Sequence, residues 1–74
     1  MNDKAYENLA NAIIQLAADD YKKAVIKLKK SPHNSIARGT IESTLKFFRS
    51  DWYRQLTNLD SETLIRMLNE EVKK

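Results

Sequence analysis

Apolar residues recur every three to four positions from about residue 3 to about residue 30 and predict one long amphipathic helix. Asn2 or Asp3 is suited to cap its start, because both side chains can accept hydrogen bonds from the free backbone N–H groups there. The apolar arc covers roughly half of the helical circumference. Its members are Tyr6, Leu9, Ala10, Ile13, Ile14, Leu16, Ala17, Tyr21, Ala24, Val25 and Leu28. An arc this wide predicts packing against two neighbouring helices.

The segment Ser31-Pro32-His33-Asn34 interrupts the pattern. Serine followed by proline is typical of a helix start, and Asn34 or Ser35 is an alternative cap. The second helix is predicted to end near Arg49. Its apolar stripe comprises Ala37, Ile41, Thr44, Leu45 and Phe48. Gly39 lies on the polar side and costs about 1 kcal/mol relative to alanine, either as a tolerated surface glycine or as a point of close approach by another chain.

Two further helices complete the prediction. Ser50 can cap a short helix from Asp51 to about Thr57, and Asp60 can cap the last helix, which frays into the final lysines. The apolar face of that last helix consists of Leu64, Ile65, Met67, Leu68 and Val72. We therefore expect an all-α fold, with a long N-terminal helix packed against a second helix, a short third helix and a C-terminal helix. Residues 1–74 form a single domain in this interpretation.

Four of the six aromatic residues lie between residues 47 and 53. Because Trp52 and Leu56 are four positions apart and share a helical face, we expect them to fill the core with Phe48, while Tyr53 turns away. Tryptophan, tyrosine and arginine are also the residue types enriched at binding hot spots. The second interpretation is therefore a partner-binding face made of Phe47, Arg49, Trp52, Tyr53 and Arg54.

The formal net charge of +3 is modest, but the basic residues are clustered. Lysines near a helix C-terminus complement the negative end of the helix dipole and solvate the surface, which is the simpler interpretation. The alternative is a DNA- or RNA-binding site, which would use Lys22, Lys23, Lys27, Lys30, Arg38 and Lys46, with Arg49 beside them. The last helix carries the acidic residues Glu62, Glu70 and Glu71, which argues against its insertion into a nucleic-acid groove.

Catalytic chemistry is not indicated. The sequence has no cysteine, and its one histidine, His33, falls at the helix break. We therefore expect no enzyme activity, no metal site, no cofactor and no small-molecule substrate, since a catalytic site needs a nucleophile, a base and a stabilising group together. The chain also lacks a membrane-spanning apolar run and a signal-peptide pattern, so we expect a cytoplasmic location and no membrane partner.

Four stretches of the chain resemble a family of small, all-helical hypothetical proteins encoded by phages and prophages of low-GC Gram-positive bacteria. These stretches are Glu7-Asn8-Leu9-Ala10-Asn11-Ala12-Ile13, Tyr21-Lys22-Lys23-Ala24, Phe47-Phe48-Arg49-Ser50-Asp51-Trp52-Tyr53 with Leu56-Thr57, and Leu64-Ile65-Arg66. The chain has Ser61 where that family often has glycine. The resemblance implies a mobile-element protein in a bacterial host cell and carries over no functional residues.

Together these features favour a non-catalytic phage or mobile-element accessory protein that binds a host or phage protein. It would act as an inhibitor, for example of a host defence system, or as an adaptor. A homodimer formed through the same apolar surfaces fits the pattern equally well. The alternative from a different class remains a small nucleic-acid-binding regulator.

Overall fold

The computed structural model describes the backbone of residues 3–73 and the side chains of residues 9–73. Within this range the chain forms four helices and no strand: α1 (Asp3–Lys30), α2 (Ser35–Phe48), α3 (Asp51–Leu56) and α4 (Ser61–Lys73). The all-α prediction is confirmed. The expected cap by Asn2 or Asp3 and the predicted burial of Tyr6 lie outside the described side chains.

The long helix α1 is the element against which the others pack. It contacts both α2 and α4, as its wide apolar arc predicts, and α3 covers part of its N-terminal half. The turn after Lys30 folds α2 back antiparallel to α1. Tyr21 pairs with Asn69 and Lys29 pairs with Val72, so α4 runs in the same direction as α1. The resulting bundle is elongated, with extents of 47 × 23 × 18 Å.

The second helix begins at Ser35 and is capped by Asn34, which was one of the predicted alternatives. The Asn34 side-chain oxygen accepts a hydrogen bond of 3.1 Å from the backbone N–H of Ala37. Pro32 does not start the helix. The N–H of Asn34 donates to the carbonyl of Ser31, and this closes a turn over residues 31–34.

The other predicted caps are confirmed. The Ser50 hydroxyl accepts from the N–H of Tyr53 at 3.2 Å and donates to the carbonyl of Phe47 at 2.6 Å, so one side chain ends α2 and starts α3. At the start of α4, a carboxylate oxygen of Asp60 accepts from the N–H of Thr63 at 3.0 Å. These caps position the aromatic stretch between α2 and α3.

Phe48 and Tyr53 lie at the centre of the core, with exposed fractions of 0% and 1%. The prediction that Trp52 is buried and Tyr53 turns away was wrong, since Trp52 is 55% exposed. The helical period does not run through from Phe48 to Trp52. The chain leaves the helix at Arg49 and restarts after Ser50, and this break rotates α3 so that Tyr53 faces inwards. The cluster of buried residues around them also contains Ala18, Tyr21, Leu64, Ile65 and Leu68.

Candidate protein-binding surface

Apolar side chains of α1 and α3, some exposed and some half-buried, lie together at the N-terminal half of the bundle. Trp52 and Leu56 of α3 line a groove against Leu9 and Ile13 of α1. Leu16 extends the same surface by one helical turn beyond Ile13. We call Leu9, Ile13, Leu16, Trp52 and Leu56 the apolar surface. Leu9 and Leu16 are 61% and 66% exposed, so much of their hydrocarbon faces water.

The apolar surface exists because α1 is longer than the helices that cover it. α1 has 28 residues, whereas α2 and α4 have 14 and 13 and pack chiefly on its C-terminal half. The six residues of α3 cover only one side of the remaining turns. The apolar arc of α1 therefore packs against its neighbours without being covered along its whole length, and Leu9 and Leu16 stay exposed. Comparing the predicted helix lengths could have revealed this uncovered stretch.

No charged residue occurs between Glu7 and Asp19. This is the longest uncharged run in a sequence in which 31% of residues are charged. The other exposed side chains along it are small or neutral: Asn11, Ala12 and Gln15. A surface of this kind offers no ion pairs, so it suits a partner face that is itself apolar and uncharged.

The five residues of the predicted partner-binding face do not form one exposed face: the rings of Phe47, Trp52 and Tyr53 are in contact, but Trp52 alone of the three is exposed. Trp52 is part of the apolar surface. Phe47 is half-buried next to Trp52, and the centroids of these two rings are 5.5 Å apart in an edge-on arrangement. The ring of Tyr53 lies in the core. Arg54 pairs with Asp51 at 3.4 Å on the exposed side of α3.

Arg49, the remaining residue of the predicted partner-binding face, forms an ion pair with Glu62 of α4. Its Nε donates to Glu62 Oε2 at 2.9 Å and its Nη2 donates to Glu62 Oε1 at 3.3 Å, which links the end of α2 to the first turn of α4. The hydrogen bond and the opposite charge raise the pKa of Arg49 and lower the pKa of Glu62. This two-point contact holds Arg49 away from the apolar surface.

The basic cluster is divided around α1. Lys22 and Lys29 bind the end of α4, through Glu71 at 3.0 Å and the carbonyl of Val72 at 2.7 Å. The hydrogen bond that Lys22 donates to Glu71 raises the pKa of Lys22. Around the exposed Ile26, four lysines of α1 and one of α4 form what we call the basic surface: Lys22, Lys23, Lys29, Lys30 and Lys73.

The other predicted nucleic-acid-binding residues lie elsewhere. Lys27 lines the groove between α1 and α2. Arg38 donates to the carbonyl of Pro32 at 3.2 Å, and Lys46 lies two turns further along α2 beside Glu42. The six residues therefore do not share one face. Asp19 and Glu71 also border the basic surface and reduce its net charge.

Within residues 9–73, no group of three or more His, Cys, Asp or Glu side chains is arranged to hold a metal ion. None of the helices in the described part of the chain is both long and apolar enough to span a bilayer. No protein family, curated protein or solved structure matches this chain. Its function is therefore inferred from the geometry of its own side chains.

Proposed function

We propose that this protein is a non-catalytic binding protein that acts by covering an apolar, uncharged face of another polypeptide with its apolar surface. The single observation that carries the proposal is the exposure of Trp52, at 55%, beside Leu9 and Ile13. Tryptophan is among the residue types enriched at binding hot spots, and a 74-residue chain has few large apolar side chains to leave outside its core.

The energetics support binding through this surface. Full burial of a Leu, Ile or Phe side chain contributes about 1.5–3 kcal/mol relative to exposure. Leu9, Leu16 and Trp52 all lie on helices rather than on mobile loops, so little conformational entropy is lost when a partner covers them. Burial of this surface can therefore contribute substantially to affinity without any charged contact.

The resemblance of the sequence to small phage and prophage proteins supports a mobile-element setting. In that setting, the protein occupies a site on a host or phage protein and acts as an inhibitor, for example of a host defence system, or as an adaptor. Such a role requires a surface that binds another protein, and the apolar surface is suited to it.

The test compares capture by matched surface variants. The tagged chain, W52S, L9S and the control I36S are each expressed in a low-GC Gram-positive bacterium, and co-purifying proteins are quantified by mass spectrometry. Ile36 is a suitable control because it is 81% exposed but lies on the first turn of α2, outside the apolar surface. We expect the wild type and I36S to capture the same specific proteins. W52S and L9S should capture at least about tenfold less of them.

Equal capture by all four chains would overturn the proposal, because binding would then not use the apolar surface. Circular dichroism of each variant verifies that the helices are intact. Loss of capture in I36S alone would place the binding site on α2 and would equally contradict the proposal.

A second candidate function is nucleic-acid binding by the basic surface. It is favoured by Lys23 and Lys30, which have no ion-pair partner among the described side chains and lie beside Ile26. Binding of this kind weakens steeply with salt, because it releases counterions. We would titrate labelled duplex DNA and single-stranded RNA with wild type and K23E/K30E in low salt. Absence of binding by the wild type eliminates this candidate.

A further inference from the structure

We infer that a second copy of this chain covers the apolar surface of the free protein, with the two α1 helices antiparallel about a two-fold axis between Ala12 and Ile13. This inference rests on the proposed function and names the polypeptide that occupies the surface when no other partner does. The arrangement is isologous, so each copy contributes the same residues.

The spacing of the apolar residues suits this symmetry. Leu9 and Leu16 are seven residues apart, which is about 10.5 Å and two turns along one face of a helix. A two-fold axis midway between them places Leu9 of each copy opposite Leu16 of the other. Ala12 of each copy then lies opposite Ile13. All four contacts join apolar side chains, and a small alanine meets the branched isoleucine near the axis.

The charge distribution also selects a second copy over a charged partner. In a symmetric pair, residues near the axis lie close to their own counterparts, so a charge there would meet the same sign. The run from residue 8 to residue 18 has no charge at all, although the chain carries a net +3. Two copies can therefore approach through this run with the least repulsion.

Trp52 gains a role in this arrangement. It lies against Leu9 and Ile13 on the α3 side of α1. The symmetry axis keeps both α3 helices on the same side of the paired α1 helices, so Trp52 of each copy reaches Ile13 and Leu16 of the other. Dimer formation would then bury the indole that is exposed in the single chain.

Complementary charges test the pairing directly. L9K and L16E each place a charge opposite leucine in their own dimer, whereas a mixture of the two places lysine opposite glutamate once and leucine opposite leucine once. We expect each single variant to raise the dimer Kd by at least about tenfold. An equimolar mixture should restore a heterodimer close to the wild-type Kd. Sedimentation velocity over a concentration range measures these values, and I36E is the control that should leave the Kd unchanged.

The tryptophan emission of the wild type should shift to the blue as the dimer forms. A wild-type chain that is monomeric up to about 1 mM, the weak limit of specific association, overturns the inference. The proposed function survives that result if W52S and L9S still lose a captured partner. A dimer that persists in L9K and L16E, or single variants that are not rescued by mixing, also overturns the antiparallel pairing.

Discussion

Tyr53 packs its ring edge-on against Phe48, with ring centroids 5.9 Å apart and planes inclined by 82°. Tyr21 of α1 contacts the same phenylalanine edge-on, with centroids 6.3 Å apart. Edge-to-face pairs of this kind add to the stabilisation that burial alone provides. Helices α1, α2 and α3 therefore meet at Phe48, and Tyr53 fixes the rotation of α3 that leaves Trp52 on the surface.

The first prediction concerns the hydroxyl of Tyr53. This oxygen is buried and has no hydrogen-bond partner among the described residues. Burial raises its pKa, and the nearby Asp60 raises it further. Because an unpaired buried hydroxyl costs free energy, Y53F should leave the free energy of unfolding unchanged or raise it by about 1 kcal/mol. Urea denaturation of the wild type and Y53F measures the difference.

Two truncations compare the buried ring of Tyr53 with the exposed ring of Trp52. Y53A should lower the free energy of unfolding by about 3–5 kcal/mol, because it leaves a cavity against Phe48. W52A should cost much less at concentrations where the chain is monomeric, because Trp52 is already exposed. A larger loss in W52A than in Y53A would contradict the placement of the two rings.

The caps of α3 and α4 follow from the sequence, because each depends on residues within one turn, whereas the sequence left the start of α2 open between Ser31-Pro32 and the alternative caps Asn34 and Ser35. Asn34, Ser50 and Asp60 all satisfy the free N–H groups just after them, which is a local geometric requirement. The rotation of α3 is different. It depends on the break at Arg49 and Ser50, and a period of 3.6 residues cannot be carried across such a break.

The periodicity of α1 alone does not locate the apolar surface, because the relative lengths of the predicted helices are also needed. The period correctly groups Leu9 and Leu16 with the apolar arc, but it does not say which turns of α1 a neighbour covers. Coverage depends on where α2 ends and on how short α3 is. Met67 shows the same effect on α4, since it belongs to the apolar face by period and is 52% exposed.

The second prediction concerns Gly39. A Cβ atom built at this position meets nothing within 4 Å, and the glycine lies inside α2. G39A should therefore raise the free energy of unfolding by about 1 kcal/mol, which corresponds to about 4–8 °C in Tm for a domain of this size. Thermal denaturation followed by circular dichroism measures the shift.

The control is S43A, at an exposed position on the same helix, which should give a smaller increase in the free energy of unfolding. If G39A instead weakens self-association or capture of a partner, another chain approaches α2 at this glycine.

The third prediction concerns the contact between α1 and α4. The Tyr21 hydroxyl donates a hydrogen bond of 2.6 Å to the side-chain oxygen of Asn69. N69A leaves this part-buried hydroxyl without its partner and should cost about 1–3 kcal/mol. Y21F removes the hydroxyl itself and should cost about 1 kcal/mol. In the double variant the loss should be smaller than the sum, by on the order of 1 kcal/mol. Additive losses would show that the hydrogen bond does not stabilise the fold.

The fourth prediction is a pH dependence from Arg49 and Glu62. Arg49 lowers the pKa of Glu62 in the folded protein below its ordinary value of 4.5. A carboxyl group with a lowered folded pKa stabilises the fold above its unfolded pKa, and this contribution is lost as the pH falls through the folded pKa. The wild type should therefore have a higher Tm than E62Q at neutral pH, and the difference should vanish near pH 2. Because both side chains are exposed, the difference should be a few degrees at most and should shrink in high salt.

R49M should remove the pH-dependent part of the Tm difference, whereas K46M on the same helix should retain it. A difference between wild type and E62Q that stays constant from neutral to acidic pH would show that the ion pair does not stabilise the contact between α2 and α4.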